Sequence, residues 1–356
     1  MKSALLQFTP QASDNLTDYV TVITWSPDGE WLAVASAAGE VVLTRSIGET
    51  VTLQAASGQA INGLGFSADG QFLAAGGQSG KVMVWGVKSP DCHIVLHHDH
   101  PSIWIDRLAW HPSQSYLAYG VGSQVHIWDV AESVRVANLD FQDSSILHLA
   151  WHPNGESLAV SGHGGIKVWF GDDWTTGPKL IAVPGASLYA AWSDDGRYLG
   201  SGNLDRTLTV AEWNSPPPWL MQGFPGKVRQ VAWSTPMTAS GTPLIAAACV
   251  EAITVWERHD KTKVGWRSRV LEHHKDRVNA IAFQPNSLTL ASVGQDGRIA
   301  LWQNAQKLSQ TLKGFSGGAT CLAWSVSGDR LAVGGTAGEL RIWQVSHRAK
   351  GFGQGS

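Results

Sequence analysis

Eight aromatic residues recur along this chain at nearly constant spacing, and this period constrains the fold more than any local motif. Each closes an apolar run and precedes Ser, His or Gln and then a turn; these anchors are Trp25, Phe66, Trp110, Trp151, Trp192, Trp233, Phe283 and Trp324. Successive anchors are 41, 44, 41, 41, 41, 50 and 41 residues apart. Five equal spacings indicate a chain built from eight repeated units.

Each unit has the pattern of four short β-strands. The anchor closes the first strand, and a turn leads to a second strand rich in Leu, Ala and Val. A glycine-containing hairpin leads to a third strand, which ends in tryptophan at 85, 128, 169, 256, 302 and 343. A weaker fourth strand follows, as in Val134–Leu139. Sustained helical periodicity is absent from the sequence.

The units resemble WD40 repeats, which form the four-stranded blades of β-propellers. The resemblance implies an all-β fold: one eight-bladed propeller with four-stranded antiparallel blades over residues 1–345. Blades are predicted to start near residues 20, 61, 105, 146, 188, 228, 278 and 319. We expect residues 3–9 to form the outer strand of the last blade and close the ring. Residues 346–356 are predicted to be a disordered tail.

Unit seven resembles the full WD40 pattern best. By that resemblance, His274, Ser292, Asp296 and Trp302 are predicted to form a hydrogen-bonded structural set. Other units depart from the pattern: Thr44 replaces the third-strand tryptophan in unit one, and most units lack the hairpin aspartate. Stability is therefore expected to come mainly from packing of tryptophan and aliphatic side chains.

Composition narrows the class of function. The net charge of −3 gives no global attraction to nucleic acid or to an anionic membrane, so neither partner is expected. No apolar run approaches membrane-spanning length, and Met1–Pro10 lacks a signal-peptide core. Three widely separated cysteines favour a reducing, cytoplasmic location. With no catalytic motif and no cofactor signature, we expect a monomeric, non-catalytic scaffold that binds one or more proteins.

Two faces of the propeller are candidates for partner binding. In the resembled family, the loops into first strands and between strands two and three share the top face. Candidate top-face residues are Tyr19, Trp104, Asp106, Lys227, Arg229 and Arg277. Strand register accounts for thirteen of the 18 tryptophans. Three of the remaining five are predicted to lie side by side on the bottom face of units four to six: Trp174, Trp219 and Trp266. Aromatic and arginine side chains are enriched at interface hot spots.

Two alternative functions remain open from the sequence. A histidine-rich segment could handle or sense a metal ion through Cys92, His97, His98 and His100, although its spacing matches no established zinc motif. The side chains of adjacent strand residues should also point to opposite faces. The second alternative is an enzyme with a site in the axial channel, for which the sequence offers no residue set.

Overall fold

The computed structural model describes residues 7–45, 49–88, 92–142, 144–259 and 265–346. Within these ranges all assigned regular structure is antiparallel β-sheet. The strands of units one to three are β2 (Val20–Trp25), β3 (Trp31–Ser36), β4 (Val41–Arg45), β5 (Glu49–Gln54), β6 (Ile61–Phe66), β7 (Phe72–Gly77), β8 (Lys81–Gly86), β9 (His93–Asp99), β10 (Leu108–Trp110), β11 (Tyr116–Val121), β12 (Gln124–Asp129) and β13 (Val134–Asp140).

Units four and five contain β14 (His148–Trp151), β15 (Ser157–Phe170), β16 (Lys179–Trp192), β17 (Tyr198–Asn203), β18 (Leu208–Glu212) and β19 (Ser215–Met221). Units six and seven contain β20 (Gln230–Met237), β21 (Pro243–Cys249), β22 (Ala252–Arg258), β23 (Trp266–Glu272), β24 (Val278–Phe283), β25 (Leu290–Gly294), β26 (Ile299–Gln303) and β27 (Lys307–Leu312). The last sheet contains β28 (Ala319–Trp324), β29 (Arg330–Gly335), β30 (Glu339–Ser346) and β1 (Gln7–Asn15).

The prediction of eight separate four-stranded blades is wrong. The described strands form seven hydrogen-bonded sheets, six of four strands and one of six, so the propeller has seven blades. Units four and five share the six-stranded sheet because the first half of β16 pairs with β15 and its second half pairs with β17. Residues 162–165 and 184–185 lie within β15 and β16, and His163 still pairs with Ala186. At Gly165 a Cβ would lie 2.3 Å from the Ile181 carbonyl oxygen, so this close approach requires glycine.

The N-terminal strand pairs with the last sheet, with bounds that differ from those predicted. β1 pairs with β30 from Gln7 opposite Ser346 to Asn15 opposite Glu339. The strand therefore extends to residue 15 rather than ending at residue 9, and residues 1–6 lie outside the described ranges. Ser346, predicted to begin the tail, is the last residue of β30. The rest of the predicted tail, 347–356, is also outside the described ranges.

The first strands begin close to the predicted positions, with one large difference. They start at 20, 61, 108, 148, 230, 278 and 319, whereas β16 starts at 179 because it includes the end of unit four. In unit five, Leu199 of β17 pairs with Ala211, so alanine occupies the register of the third-strand tryptophan. Trp213 follows that strand and packs edge-on against Trp192.

Anchor tryptophans join consecutive units. In six units the anchor indole Nε1–H donates a hydrogen bond to the carbonyl of the residue just before the preceding anchor. The six bonds are Trp25 to Ala323 (3.2 Å), Trp110 to Gly65 (2.8 Å), Trp151 to Ala109 (3.1 Å), Trp192 to Ala150 (3.2 Å), Trp233 to Ala191 (2.9 Å) and Trp324 to Ala282 (3.2 Å). The core lies between neighbouring units, where aliphatic strand residues and these indoles are buried.

Candidate functional site

The four residues predicted as a structural set in unit seven lie in one hydrogen-bonded chain. The imidazole of His274 is 3.1 Å from the Asp296 carboxylate at Nδ1 and 2.9 Å from the Ser292 hydroxyl at Nε2. The Trp302 indole donates to the same hydroxyl at 2.9 Å. Burial alone would raise the pKa of Asp296, but hydrogen bonds from the Lys275 amide and from His274 hold it below its usual value. With both imidazole nitrogens and the Ser292 hydroxyl engaged inside the unit, the set is suited to holding strands together.

Unit five contains a different buried polar network, which was not predicted from the sequence. The Ser187 and Ser201 hydroxyls are 2.7 Å apart, and Ser201 donates to Asn203 Oδ1 at 2.6 Å. Asn203 Nδ2 donates to Thr207 and Thr209 at 2.9 Å each. A signal was present, because Ser201 follows its anchor by nine residues, as Ser292 follows Phe283. This network takes the place of a histidine-centred set in unit five.

A cavity of about 540 Å³ opens on the top face, where first strands begin and hairpins join strands two and three. Three predicted top-face residues line it together: Tyr19, Arg229 and Arg277. The other lining residues are Val20, Thr21, Asn62, Val278, Asn279, Gln295, Thr320 and Thr336. They come from units one, two, six, seven and eight, so the cavity lies where these units meet.

Side chains four residues before the anchors link units around this cavity. The hydroxyls of Thr21 and Thr320 donate to the backbone carbonyls of Ile61 and Val20 in the next unit. Asn279 Nδ2 likewise donates to the Ala319 carbonyl at 2.7 Å. These bonds satisfy the lining groups and fix the shape of the opening.

The remaining top-face candidates lie beside this cavity. Trp104 and Asp106 line a second hollow of about 320 Å³ in unit three. Asn62 Nδ2 donates to the Asp106 carboxylate at 2.7 Å and so connects the two hollows. Trp104 is 60% exposed. Lys227 lies between β19 and β20 and lines neither hollow.

The three bottom-face tryptophans do not form one cluster. Trp219 and Trp266 pack edge to face at 6.0 Å, and Trp266 also contacts Tyr198 and Trp233 between units five and six. Trp174 lies elsewhere, packed edge-on against Trp151 at 5.8 Å. All three are partly buried, unlike Trp104.

A bottom-face hollow of about 470 Å³ was not anticipated from the sequence. Tyr116, Trp151, Phe170 and Trp174 are among its lining residues. His111 also lines it, is buried, and contacts the Gly155 carbonyl at 3.0 Å through Nε2. A histidine directly after an anchor also fits an ordinary turn, so the sequence alone does not indicate this contact between units.

The histidine-rich segment does not assemble the predicted metal ligands. His98 and His100 share one face of the strand and contact Tyr119, whereas His97 is exposed on the opposite face. The third histidine of this cluster is His126, 5.4 Å from His100 between ring centroids. Across the described ranges, no three His, Cys, Asp or Glu side chains are arranged to hold a metal ion.

The closed ring and the repeated strand unit define a repeat β-propeller. Two family models match this chain: the WD domain, G-beta repeat, at residues 133–169, 265–303 and 306–344, and the anaphase-promoting complex subunit 4 WD40 domain at residues 23–110. The chain belongs to the WD40-repeat β-propeller family.

Curated relatives include the protein transport protein sec13 of Emericella nidulans, 26% identical over 140 residues, which is 37% of this chain and 44% of that protein. The human protein SEC13 homolog is 28% identical over 111 residues, or 28% and 34% of the two chains. This chain thus spans less than half the length of these relatives.

Solved structures show the same fold. Sqt1 from Chaetomium thermophilum, bound to the N-terminus of the ribosomal protein L10, matches with a TM-score of 0.80, 19% identity and coverage of 95% of this chain and 100% of Sqt1. A second structure of Sqt1 from Chaetomium thermophilum matches with a TM-score of 0.82 and 18% identity, over 96% and 100% of the two chains. The described part of this chain has no helix with the length and hydropathy needed to cross a bilayer.

Proposed function

We propose that this protein is a non-catalytic scaffold that binds a partner protein through its top face. The main support for this proposal is the exposure of the Trp104 side chain. Its side chain is 60% exposed, whereas Trp174, Trp219 and Trp266 pack into contacts between or within units. A large exposed indole beside a cavity is the kind of anchor that dominates interface energetics.

The surroundings of Trp104 support the same face. Ile103 is 37% exposed beside it, and Tyr19 at the neighbouring cavity is 43% exposed. Hydrogen bonds between units fix the strands beneath this face, and a preformed surface loses little ordering entropy on binding. A preformed surface with aromatic anchors suits a protein partner.

The relatives are consistent with protein binding. Sqt1 from Chaetomium thermophilum is bound to the N-terminus of the ribosomal protein L10 in its solved structure, and the sec13 relatives are protein transport proteins. We propose a protein ligand for this chain by that analogy. A cytoplasmic location and a monomeric state stay predictions.

Affinity capture from a cell lysate, quantified by mass spectrometry, tests the proposal. We expect Trp104→Ala to reduce partner recovery by about tenfold or more, since a hot-spot truncation costs about 2 kcal/mol or more. The matched control is Val326→Ala, which changes a 55% exposed apolar side chain in the β28–β29 turn on the bottom face. If both variants recover the partner equally and remain folded, the top-face proposal is wrong.

No observation favours the two alternative functions. The candidate metal ligands point to different faces of their strand, and elemental analysis of the purified protein remains a direct test of a metal site. The cavity residues are held in contacts between units and offer no nucleophile and base in an arranged pair. The geometry therefore supports binding better than catalysis.

A further inference from the structure

We infer that the top-face cavity binds an acidic peptide segment of the partner, with Arg229 and Arg277 as the carboxylate-binding residues. This inference rests on the proposed function and names the chemistry of its ligand. The residues that line the cavity include these two arginines and no aspartate or glutamate. The volume of about 540 Å³ lies in the range of ligand-binding clefts.

Arg277 is oriented but not neutralised. Its Nε donates to Asn279 Oδ1 at 3.0 Å, and Asn279 is itself fixed by its bond to the Ala319 carbonyl. Among the described residues, no acceptor contacts the two terminal nitrogens of this guanidinium within hydrogen-bond distance. Two terminal guanidinium nitrogens can bind a carboxylate in bidentate fashion.

Arg229 differs from its counterparts in other units. Thr21, Asn62 and Thr320 occupy the equivalent position, four residues before an anchor, and each bonds to the next unit. The exposed guanidinium of Arg229 makes no hydrogen bond or ion pair within the described ranges. It therefore adds an unneutralised positive charge to the opening.

Three carboxylates of the top face accept hydrogen bonds from other donors. Asp106 accepts from Asn62, and the carboxylates of Asp18 and Asp276 accept the amide N–H of the following residue at 2.7 Å and 2.6 Å. None forms an ion pair with Arg229 or Arg277. An incoming carboxylate would supply the missing countercharge.

A peptide fits the remaining lining better than a nucleic acid does. The carboxamide of Gln295 and the hydroxyl of Thr336 offer both donors and acceptors for a peptide backbone. Only one aromatic residue, Tyr19, lines the cavity. Binding of single-stranded nucleic acid usually depends on several stacking platforms.

Fluorescence anisotropy with a labelled hexaglutamate peptide tests the inference on the full chain. We expect hexaglutamate to bind about tenfold or more tighter than hexaglutamine, and hexalysine not to bind. Binding should weaken as ionic strength rises from about 0.05 M to about 0.5 M. The double variant R229Q/R277Q should bind hexaglutamate about tenfold or more weakly.

The control double variant R267Q/K307Q removes two exposed charges from outer strands away from the cavity. It should bind hexaglutamate like the natural protein. Equal binding of hexaglutamate and hexaglutamine, equal loss in both double variants, or tighter arginine-dependent binding of a dT oligonucleotide would each overturn the inference. If Trp104→Ala fails to capture the partner but the natural protein does not bind hexaglutamate, the proposed function stands and only the acidic ligand is rejected.

Discussion

At the residue scale, the anchor tryptophans have two roles, and the sequence period indicates only the first of them. The period marks them as core residues, and they are largely buried. Their indole nitrogens also tie each unit to the preceding one, as in the bond from Trp233 to Ala191. The phenylalanine anchors Phe66 and Phe283 keep the packing without this bond. These bonds account for six of the 18 tryptophans.

Ser292 holds unit seven together through two partners, and its loss should destabilise the fold. Replacing it with alanine leaves the His274 Nε2 and the Trp302 Nε1–H without partners in a buried site. We expect Ser292→Ala to lower the free energy of unfolding by about 1–3 kcal/mol in urea titrations. The exposed Ser268 provides the control, since Ser268→Ala should change stability by less than about 0.5 kcal/mol. Equal stability of the two variants would show that the set is dispensable.

His126 should make the protein sensitive to acid. Burial, with nearby His100 and Arg135, lowers the pKa of His126 to about 4, from 6.5 in the unfolded chain. Burial also lowers the pKa of His98 and His100. Because the unfolded state binds more protons over this range, stability is complete above about pH 6.5 and is lost as the pH falls toward 4.

The variant His126→Gln should therefore show a shallower loss of stability between pH 6.5 and pH 4 in urea titrations repeated at each pH. His163→Gln, at an exposed position, is the matched control. An unchanged slope in His126→Gln would mean that the acid sensitivity arises elsewhere.

At the element scale, closure of the ring depends on β1, which is distant in sequence from its partners. Its backbone pairs with β30, and the Gln310 side chain of the adjacent sheet bonds both the N–H and the C=O of Phe8, at 3.0 Å and 2.9 Å. Phe8 is buried and packs edge-on against Trp324 at 5.4 Å. The first and last strands thus share one sheet and leave no open seam.

Removing the Phe8 side chain should weaken this closure. Truncation of a buried aromatic residue costs about 3–5 kcal/mol, so we expect Phe8→Ala to lower the unfolding free energy by about that amount. Val270→Ala is the control, because Val270 is 56% exposed on an outer strand. Circular dichroism during urea unfolding measures both. A loss below about 1 kcal/mol for Phe8→Ala would show that the ring is stable without this contact.

At the scale of the whole molecule, tryptophan has different roles on the two faces. Top-face Trp104 is exposed, whereas bottom-face Trp266 fills the space between units five and six against Tyr198 and Trp233. Arg258 covers the neighbouring Trp219 at 4.9 Å from the ring centroid. Aromatic residues on the bottom face thus stabilise the ring.

Substitutions at these two tryptophans should separate binding from stability. We expect Trp266→Ala to lower the unfolding free energy by about 2 kcal/mol or more while partner capture at low temperature is retained. Trp104→Ala should show the reverse: reduced capture and a midpoint of unfolding within error of the natural protein. If Trp266→Ala abolishes capture although the protein remains folded, the bottom face is the binding face.

Much of the architecture could be predicted because the repeat spacing is read directly from the order of residues along the chain. The anchors identified the WD40-type propeller and its strand order, and the spare N-terminal strand indicated how the ring closes. The spacing could not show that units four and five share a sheet, since a 41-residue repeat separates their anchors as in other units. That outcome depends on whether backbone hydrogen bonding continues through the connections at 162–165 and 184–185.

Residue type and position in the repeat selected the candidates on both faces, and only the tertiary structure distinguished them. Trp104 and Trp266 look alike as unassigned tryptophans, but exposure depends on which neighbouring unit covers the side chain. The cavity formed by Arg229 and Arg277 likewise joins units that are adjacent in the ring. The sequence by itself determined the repeated unit, because its signals are local and periodic. Only the tertiary structure decided the number of sheets and the composition of the top-face cavity, because both arise where separate units meet.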